Sequence, residues 1–464
     1  MNCLGKPERD NGQSLVPDPP HRITGVTFIF RNYNFSLQIR LFNLSFRPFP
    51  STLAFIFALP LAFAPLNPKI GGLAWLIYAA FGCWVGLRYL VKPQNADIPR
   101  ELSPVAHAAR IWLIACLVAT ILRWVPHAFW QDDWGKRHAE ARLFIGALAA
   151  AALVKWPPVF SLSMKQRLLI GHSLACACLV GLWVTSTLGR NTPTHPIAWA
   201  VALSFLVCIL APMTLDTAIS NSHRRIWLVA AGLGLLGVLL SQSRGAYGLL
   251  VLLLFAGFTA FSNRSLGRPV LMSRSTFLFC FAIFASLFLL SWLDPNWLYK
   301  LLHRLLQAWG EVTMSSTNMS EAANTSVGSR LYLWGKSLDA IELQPWLGYG
   351  KENTAAMIRA WGVEINSAQI QQLGHLHNEF LDAWTSHGLL GLLSLVVLMM
   401  GLGLAAKTLW VPHPTAAKAL AGILFMHFTA GLSNVNMAHN YYGAMLSLSV
   451  GLALLLASSE DAPR

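Results

Sequence analysis

Near the end of a predominantly apolar chain, the segment HLHNEFLDAWTSHGLLG (His375 to Gly391) sets three histidines, an asparagine and two carboxylates against an apolar run. Imidazole titrates closest to neutrality, so a neutral His377 beside a bilayer surface is a candidate general base. The bland alternative is a polar interfacial residue at a helix end. His377, Leu381, Trp384, Gly388 and Gly391 follow at steps of 4, 3, 4 and 3, the spacing of one helical stripe. The two glycines then predict close approach of a second helix. On this reading His377 stands at the helix N-terminus, whose positive end disfavours imidazolium and attracts anions. Asn378 is either an orienting group or a helix cap. Trp384 either stacks on substrate or packs, and packing is favoured. His387 falls off the stripe and reads as structural, while Glu379 and Asp382 receive no role.

Arginines provide the second chemical element. Arg137, Arg142, Arg190, Arg244 and Arg330 are expected on the same membrane side as His377. Arg244 lies inside a long apolar run, where a guanidinium is costly and often marks a substrate path; snorkelling to lipid phosphates is its alternative. Arg190 reads as a substrate contact or an interfacial anchor, and Arg330 as a contact or a solvated loop charge. Guanidinium forks match diphosphate oxygens bidentately, so Arg244, Arg190 and Arg330 are the candidate diphosphate-binding residues. The pair Asp132–Asp133 is the one metal candidate, and a solvated loop is the plainer reading. No metal and no cofactor is expected.

The elements that must position these groups follow from composition. The chain has 464 residues, 55% of them hydrophobic and only 12% charged, and its mean hydropathy is +0.50. Such a composition indicates an all-α polytopic membrane protein, because helices satisfy their own backbone hydrogen bonds in lipid. Alternating strands of a β-barrel are absent from the pattern. About twelve spans are expected, near 50–66, 70–90, 104–125, 140–156, 167–188, 195–212, 225–241, 246–262, 275–293, 384–406, 416–436 and 440–458. The net charge of +14 is explained by Lys- and Arg-rich cytoplasmic loops rather than by nucleic acid. Seven cysteines lie in the N-terminal tail or in apolar spans and suggest no disulfide framework.

The run from Ile226 to Phe261 is broken only at SQSRGAYG and is flanked by basic clusters at both ends. It must therefore cross twice and turn outward at Ser241–Gly245. The same bookkeeping leaves residues 1–49 as a cytoplasmic tail without signal-peptide order and 50–293 as nine spans. Residues 294–383 form a large, mainly helical periplasmic loop between helices 9 and 10. Residues 384–458 are three further spans, and 459–464 a cytoplasmic tail.

With these residues in view, the chain resembles the O-antigen ligase and polymerase superfamily. The family's pattern of His, then Asn, nine residues, Gly, two residues and Gly is met by His377-Asn378, Glu379–His387, Gly388 and Gly391. SQSRGAYG resembles its Ser-Arg-Gly segment, and SRLYLWGKSLDAIELQPWLGYG resembles its outer-loop stretch; the resemblance covers roughly residues 190–440. It implies a GT-C-like inner-membrane glycosyltransferase with a periplasmic active site. The implied donor is O-antigen on undecaprenyl diphosphate, the acceptor is lipid A-core, and the product is lipopolysaccharide. The polymerase and protein O-oligosaccharyltransferase branches use the same donor; the expected short C-terminal tail favours the ligase over the latter. A transporter is the non-enzyme alternative, disfavoured because the polar cluster sits at the outer surface and no repeat is found.

Overall fold

The computed structural model describes residues 62–91, 103–133, 138–155, 162–189, 191–252, 295–439 and 441–458, together with 288 and 291. The described residues form helices and no strand. In chain order the long helices are α1 (Pro68–Val91), α2 (Pro104–Phe129), α3 (His138–Lys155), α4 (Met164–Leu188), α5 (Pro196–Met213) and α6 (Asn221–Leu240). After them come α7 (Trp297–Thr317), α8 (Gly328–Leu343), α9 (Lys351–Glu364), α10 (Glu379–Leu409), α11 (Pro414–Gly431) and α12 (Tyr442–Ser458). Six of them, α1, α2, α4, α5, α6 and α10, are long and apolar enough to cross a membrane. Nine expected spans have a helical counterpart. The other three, 50–66, 246–262 and 275–293, lie wholly or largely outside the described residues, as do the two terminal tails.

Local signals start these helices. Ser103 accepts a hydrogen bond from the backbone of Ala106 ahead of Pro104, and Ser163 with Gln166 closes a capping box on α4. α5 is buried without interruption from Ile197 to Leu210, which an apolar helix achieves only at the centre of a bundle. The other helices keep lipid-sized side chains outward, such as Leu73 on α1, Trp183 on α4 and Met400 on α10.

Side-chain bonds fix the helix polarities. Trp75 near the start of α1 donates to the Arg142 carbonyl near the start of α3. Trp199 at the start of α5 donates to Thr185 at the end of α4. Ser243, just past α6, donates to the Pro196 carbonyl at the start of α5, and Asn378 ahead of α10 donates to the Leu432 carbonyl at the end of α11. These groups share one end of the bundle. At the opposite end Arg167 pairs with Asp216, Arg224 holds the Thr214 carbonyl, and His172 contacts His223 at 2.9 Å. The helix ends at Leu240, a 3-10 turn follows at Arg244–Ala246 and helix resumes at Gly248; the second crossing expected of the doubled run lies largely outside the described residues.

The end carrying the turn is expected to face outward. Gly245 itself is buried against Ser433, so a label belongs on the exposed Asn191 of the α4–α5 connection. Cysteine at Asn191 should react with an impermeant thiol reagent applied outside, and cysteine at Ser222 only after the inner membrane is opened. The reverse pattern would invert the topology.

Between the spans lies a helical insert, α7 to α9. It has its own small core of Ala323, Tyr332, Leu333, Ile358, Ile370 and Leu376. A Lys336–Glu364 ion pair joins α8 to α9.

Candidate active site

The expected stripe does not form. α10 begins at Glu379, so His377 precedes it, in a left-handed conformation with φ of 52°. At Gly388 the helix breaks, with φ 63° and ψ −161°, a region essentially reserved for glycine. The motif glycine therefore serves a backbone break rather than a helix–helix contact.

The break has a docking partner. It frees the carbonyls of Thr385 and Ser386, which accept from the backbone N–H groups of Tyr349 and Gly350 at 3.0 and 2.8 Å. Leu389 N–H donates to the Pro345 carbonyl at 2.7 Å, and Trp384 Nε1 donates to the same oxygen at 3.1 Å. The loop Gln344–Gly350 is thus laced into α10 by main-chain groups, which buried backbone polar groups require. Space is tight: a Cβ on Gly388 would lie 2.1 Å from the Trp346 carbonyl oxygen.

From the other side the α2–α3 connection grips the same loop. Trp130 Nε1 donates to the Leu347 carbonyl at 3.1 Å. Asp132, buried, accepts from the backbone of Lys351 at 2.9 Å and Glu352 at 3.3 Å and so caps α9. The carboxylate first read as a metal candidate is engaged as a helix cap.

The histidine loop is pinned at its middle residue. Leu376 is buried in the insert core; its N–H donates to Asp382 Oδ1 at 3.0 Å and its carbonyl accepts from Trp334 Nε1 at 3.0 Å. Anchoring Leu376 leaves its two neighbours to the cleft. The His375 and His377 rings lie 4.3 Å apart, centroid to centroid. His375 Nδ1 accepts from the His377 backbone N–H at 3.4 Å, which requires that nitrogen to be unprotonated. His377 Nδ1 is buried and has no hydrogen-bond partner among the described residues. Asn378 caps α10, accepting from Phe380 and Leu381 at 3.0 and 3.1 Å. Trp384 packs by its bond to Pro345.

Burial pushes the His377 imidazole down to about 3, and the neighbouring His375, Arg330, His195 and His439 add to the shift. His375 is lowered too, by burial first, with Asp382 opposing and Lys351 and Arg330 adding. His439 falls to about 4 through burial, then His195, His375 and Lys351. Neutrality of His377, expected from the helix end, thus arises first from desolvation, with Arg330 and the neighbouring imidazoles adding.

Of the candidate arginines, Arg330 is brought to the histidines: α8 presents it one turn before Trp334, which holds the Leu376 carbonyl. Arg244 lies in the turn Arg244–Ala246; its side chain, and Arg190 and Arg137 as a whole, lie outside the described residues.

Two further histidines converge here. His195, just before α5, stacks on His439, between α11 and α12, at 5.6 Å and 24°. Glu379, fully buried, accepts from the Met437 backbone at 2.9 Å and ties the connection bearing His439 to the start of α10. One signal was present in the sequence: AHNYYG repeats the His-Asn doublet of LHNEFL at a second helix start.

A stretch of 81 residues, 17% of this chain, is 30% identical to an uncharacterized protein of Haemophilus influenzae (strain ATCC 51907 / DSM 11121 / KW20 / Rd), covering 20% of that protein. The chain thus matches about a fifth of this relative's length. Residues 227–396 match the family model described as O-antigen ligase. That interval contains the Ser-Arg-Gly turn, the helical insert and the broken helix behind His377, and the match supports membership of this chain in the O-antigen ligase family.

Proposed function

We propose that this multi-pass membrane protein is an inverting, metal-independent glycosyltransferase of the inner membrane. It moves O-antigen polysaccharide from undecaprenyl diphosphate to lipid A-core on the periplasmic face, with both termini cytoplasmic. The family implies a membrane glycosyltransferase-like enzyme; the rest is this reading. The observation that carries it is the neutral His377, with an unpaired ring nitrogen, beside Arg330 at one bundle end.

In this reading the donor diphosphate is held by Arg330, Arg190 and Arg244. His377 takes the proton of an acceptor sugar hydroxyl as that oxygen attacks the anomeric carbon. The bond from anomeric carbon to phosphate oxygen breaks from the opposite face, inverting the configuration. The electron pair leaves on the diphosphate, where cationic side chains stabilise it. His195 and His439 offer imidazole nitrogens to the sugar or the phosphates.

The deciding experiment is lipopolysaccharide from a deletion strain. Full-length polymer retained on its lipid carrier, with none on the core, is the expected result. Single repeat units on the core would instead assign a polymerase. Transfer by purified protein without any gradient separates an enzyme from a transporter.

Metal independence has its own test. Asp132 is engaged by the α9 backbone, and arginines carry the leaving-group charge, so transfer should survive EDTA in detergent. Activity lost on chelation and restored by Mg²⁺ or Mn²⁺ would overturn this part.

A further inference from the structure

α7 is amphipathic the wrong way round for a helix bathed in water. Tyr299, Leu302, Leu306 and Trp309 follow at steps of 3, 4 and 3 and form one stripe. They are 67%, 49%, 71% and 70% exposed. The other side faces the protein through a charge: Glu311, half a turn away from Leu302 on the helical wheel, is 6% exposed. Its carboxylate accepts from the Val327 backbone at 2.8 Å, ahead of α8. A helix that turns Glu311 to the protein and Tyr299, Leu302, Leu306 and Trp309 outward requires an apolar partner for that stripe.

We propose that α7 lies in the plane of the membrane, with this stripe seated in the interfacial layer of the bilayer leaflet at the active-site end. Its N-terminus, Trp297, follows the apolar run expected to span at 275–293 by four residues, a distance the chain covers only close to the membrane surface. Tyr299 and Trp309 flank the two leucines, and such rings settle at headgroup level with their bodies in the acyl region. The spans present exposed apolar side chains of the same kind, among them Leu393, Met400 and Leu404 on α10. Phospholipid, rather than a second copy or a soluble partner, is therefore the occupant. So seated, α7 holds the insert, and with it Arg330, at a fixed height above the leaflet. This placement depends on the chain spanning a membrane and is independent of the transfer reaction.

The test is photocrosslinking of the full-length protein in nanodiscs of phosphatidylethanolamine and phosphatidylglycerol. p-Benzoylphenylalanine is installed at Leu306 in one variant and at Gln307, on the neighbouring exposed face, in another. The expected result after irradiation is phospholipid adducts by mass spectrometry at Leu306, several-fold above those at Gln307. Equal adduct yields would place the stripe in water and overturn the proposal. A covalent dimer from Leu306 in place of lipid adducts would also overturn it, assigning the stripe to a second copy. Absence of glycan transfer by the wild-type protein, with the adduct pattern as expected, would sink the proposed function and leave the membrane placement standing.

Discussion

Replacing His377 with Ala should lower single-turnover glycan transfer by ~10²–10⁴-fold, the usual effect of losing a general base, while donor affinity stays nearly unchanged. The split follows from the geometry. His377 supplies an unpaired ring nitrogen and no permanent charge, whereas the diphosphate is met by arginines. A pH profile checks the assignment independently. A base works only when deprotonated, so activity is present above its pKa and is lost as pH falls through it. Because burial, with Arg330 and the neighbouring imidazoles, holds His377 at about 3, kcat/KM, which reports the free enzyme, should stay level from neutrality down through pH 5. A bound diphosphate places negative charge near the ring and favours imidazolium, so the acid limb of kcat should lie at higher pH than that of kcat/KM. Transfer at the wild-type rate by His377→Ala would remove His377 from the chemistry. An acid limb in kcat/KM centred near pH 6.5 would remove the desolvated, cation-flanked environment instead.

Gly388→Ala should destabilise the protein by about 3 kcal/mol and abolish most transfer, although Gly388 touches no proposed substrate. A left-handed φ with an extended ψ costs any other residue ~1–3 kcal/mol. The added methyl would also meet the Trp346 carbonyl oxygen at 2.1 Å and the Leu347 nitrogen at 2.4 Å, neither of which is a flexible side-chain tip. The relief available is withdrawal of the loop Gln344–Gly350, which leaves the Thr385 and Ser386 carbonyls without their partners. The measurements are melting temperature in detergent and limited proteolysis. The expected pattern is a lower Tm with new cleavage between Gln344 and Gly350. A variant with wild-type Tm, intact loop and full activity would show that the break is not needed.

Hydropathy made the bundle legible. Each apolar run of suitable length that falls on described residues became a helix, and the run from Ile226 is interrupted at Ser241–Ala246, where the turn was expected. The place of His377 at the start of an apolar helix was legible too, since a titratable ring there is conspicuous. Spacing misled where main-chain geometry prevailed. Steps of 4 and 3 imply a continuous helix, yet Gly388 permits a conformation in which the foreign loop supplies better hydrogen bonds than the helix itself. Contacts across hundreds of residues were not legible at all. Nothing near Asp132 announces that it caps a helix beginning at Lys351, and nothing near His195 announces a stack on His439.

The grip of the α2–α3 connection on the insert has a consequence for how the protein is made. Trp130 and Asp132 meet Leu347, Lys351 and Glu352 across 217 to 220 residues of chain. At ~5–20 residues per second, the ribosome delivers those partners roughly 10–40 s after the tryptophan and the aspartate have emerged. The early spans must therefore wait with an open seat at the membrane surface. The seat is filled last, when α10 enters and its break admits the loop. A polypeptide stalled before α10 would hold a helical insert that meets Trp130 and Asp132 but lacks the Thr385 and Ser386 carbonyls that receive its loop. The centre built around His377 thus comes into being only as the final third of the chain is threaded home.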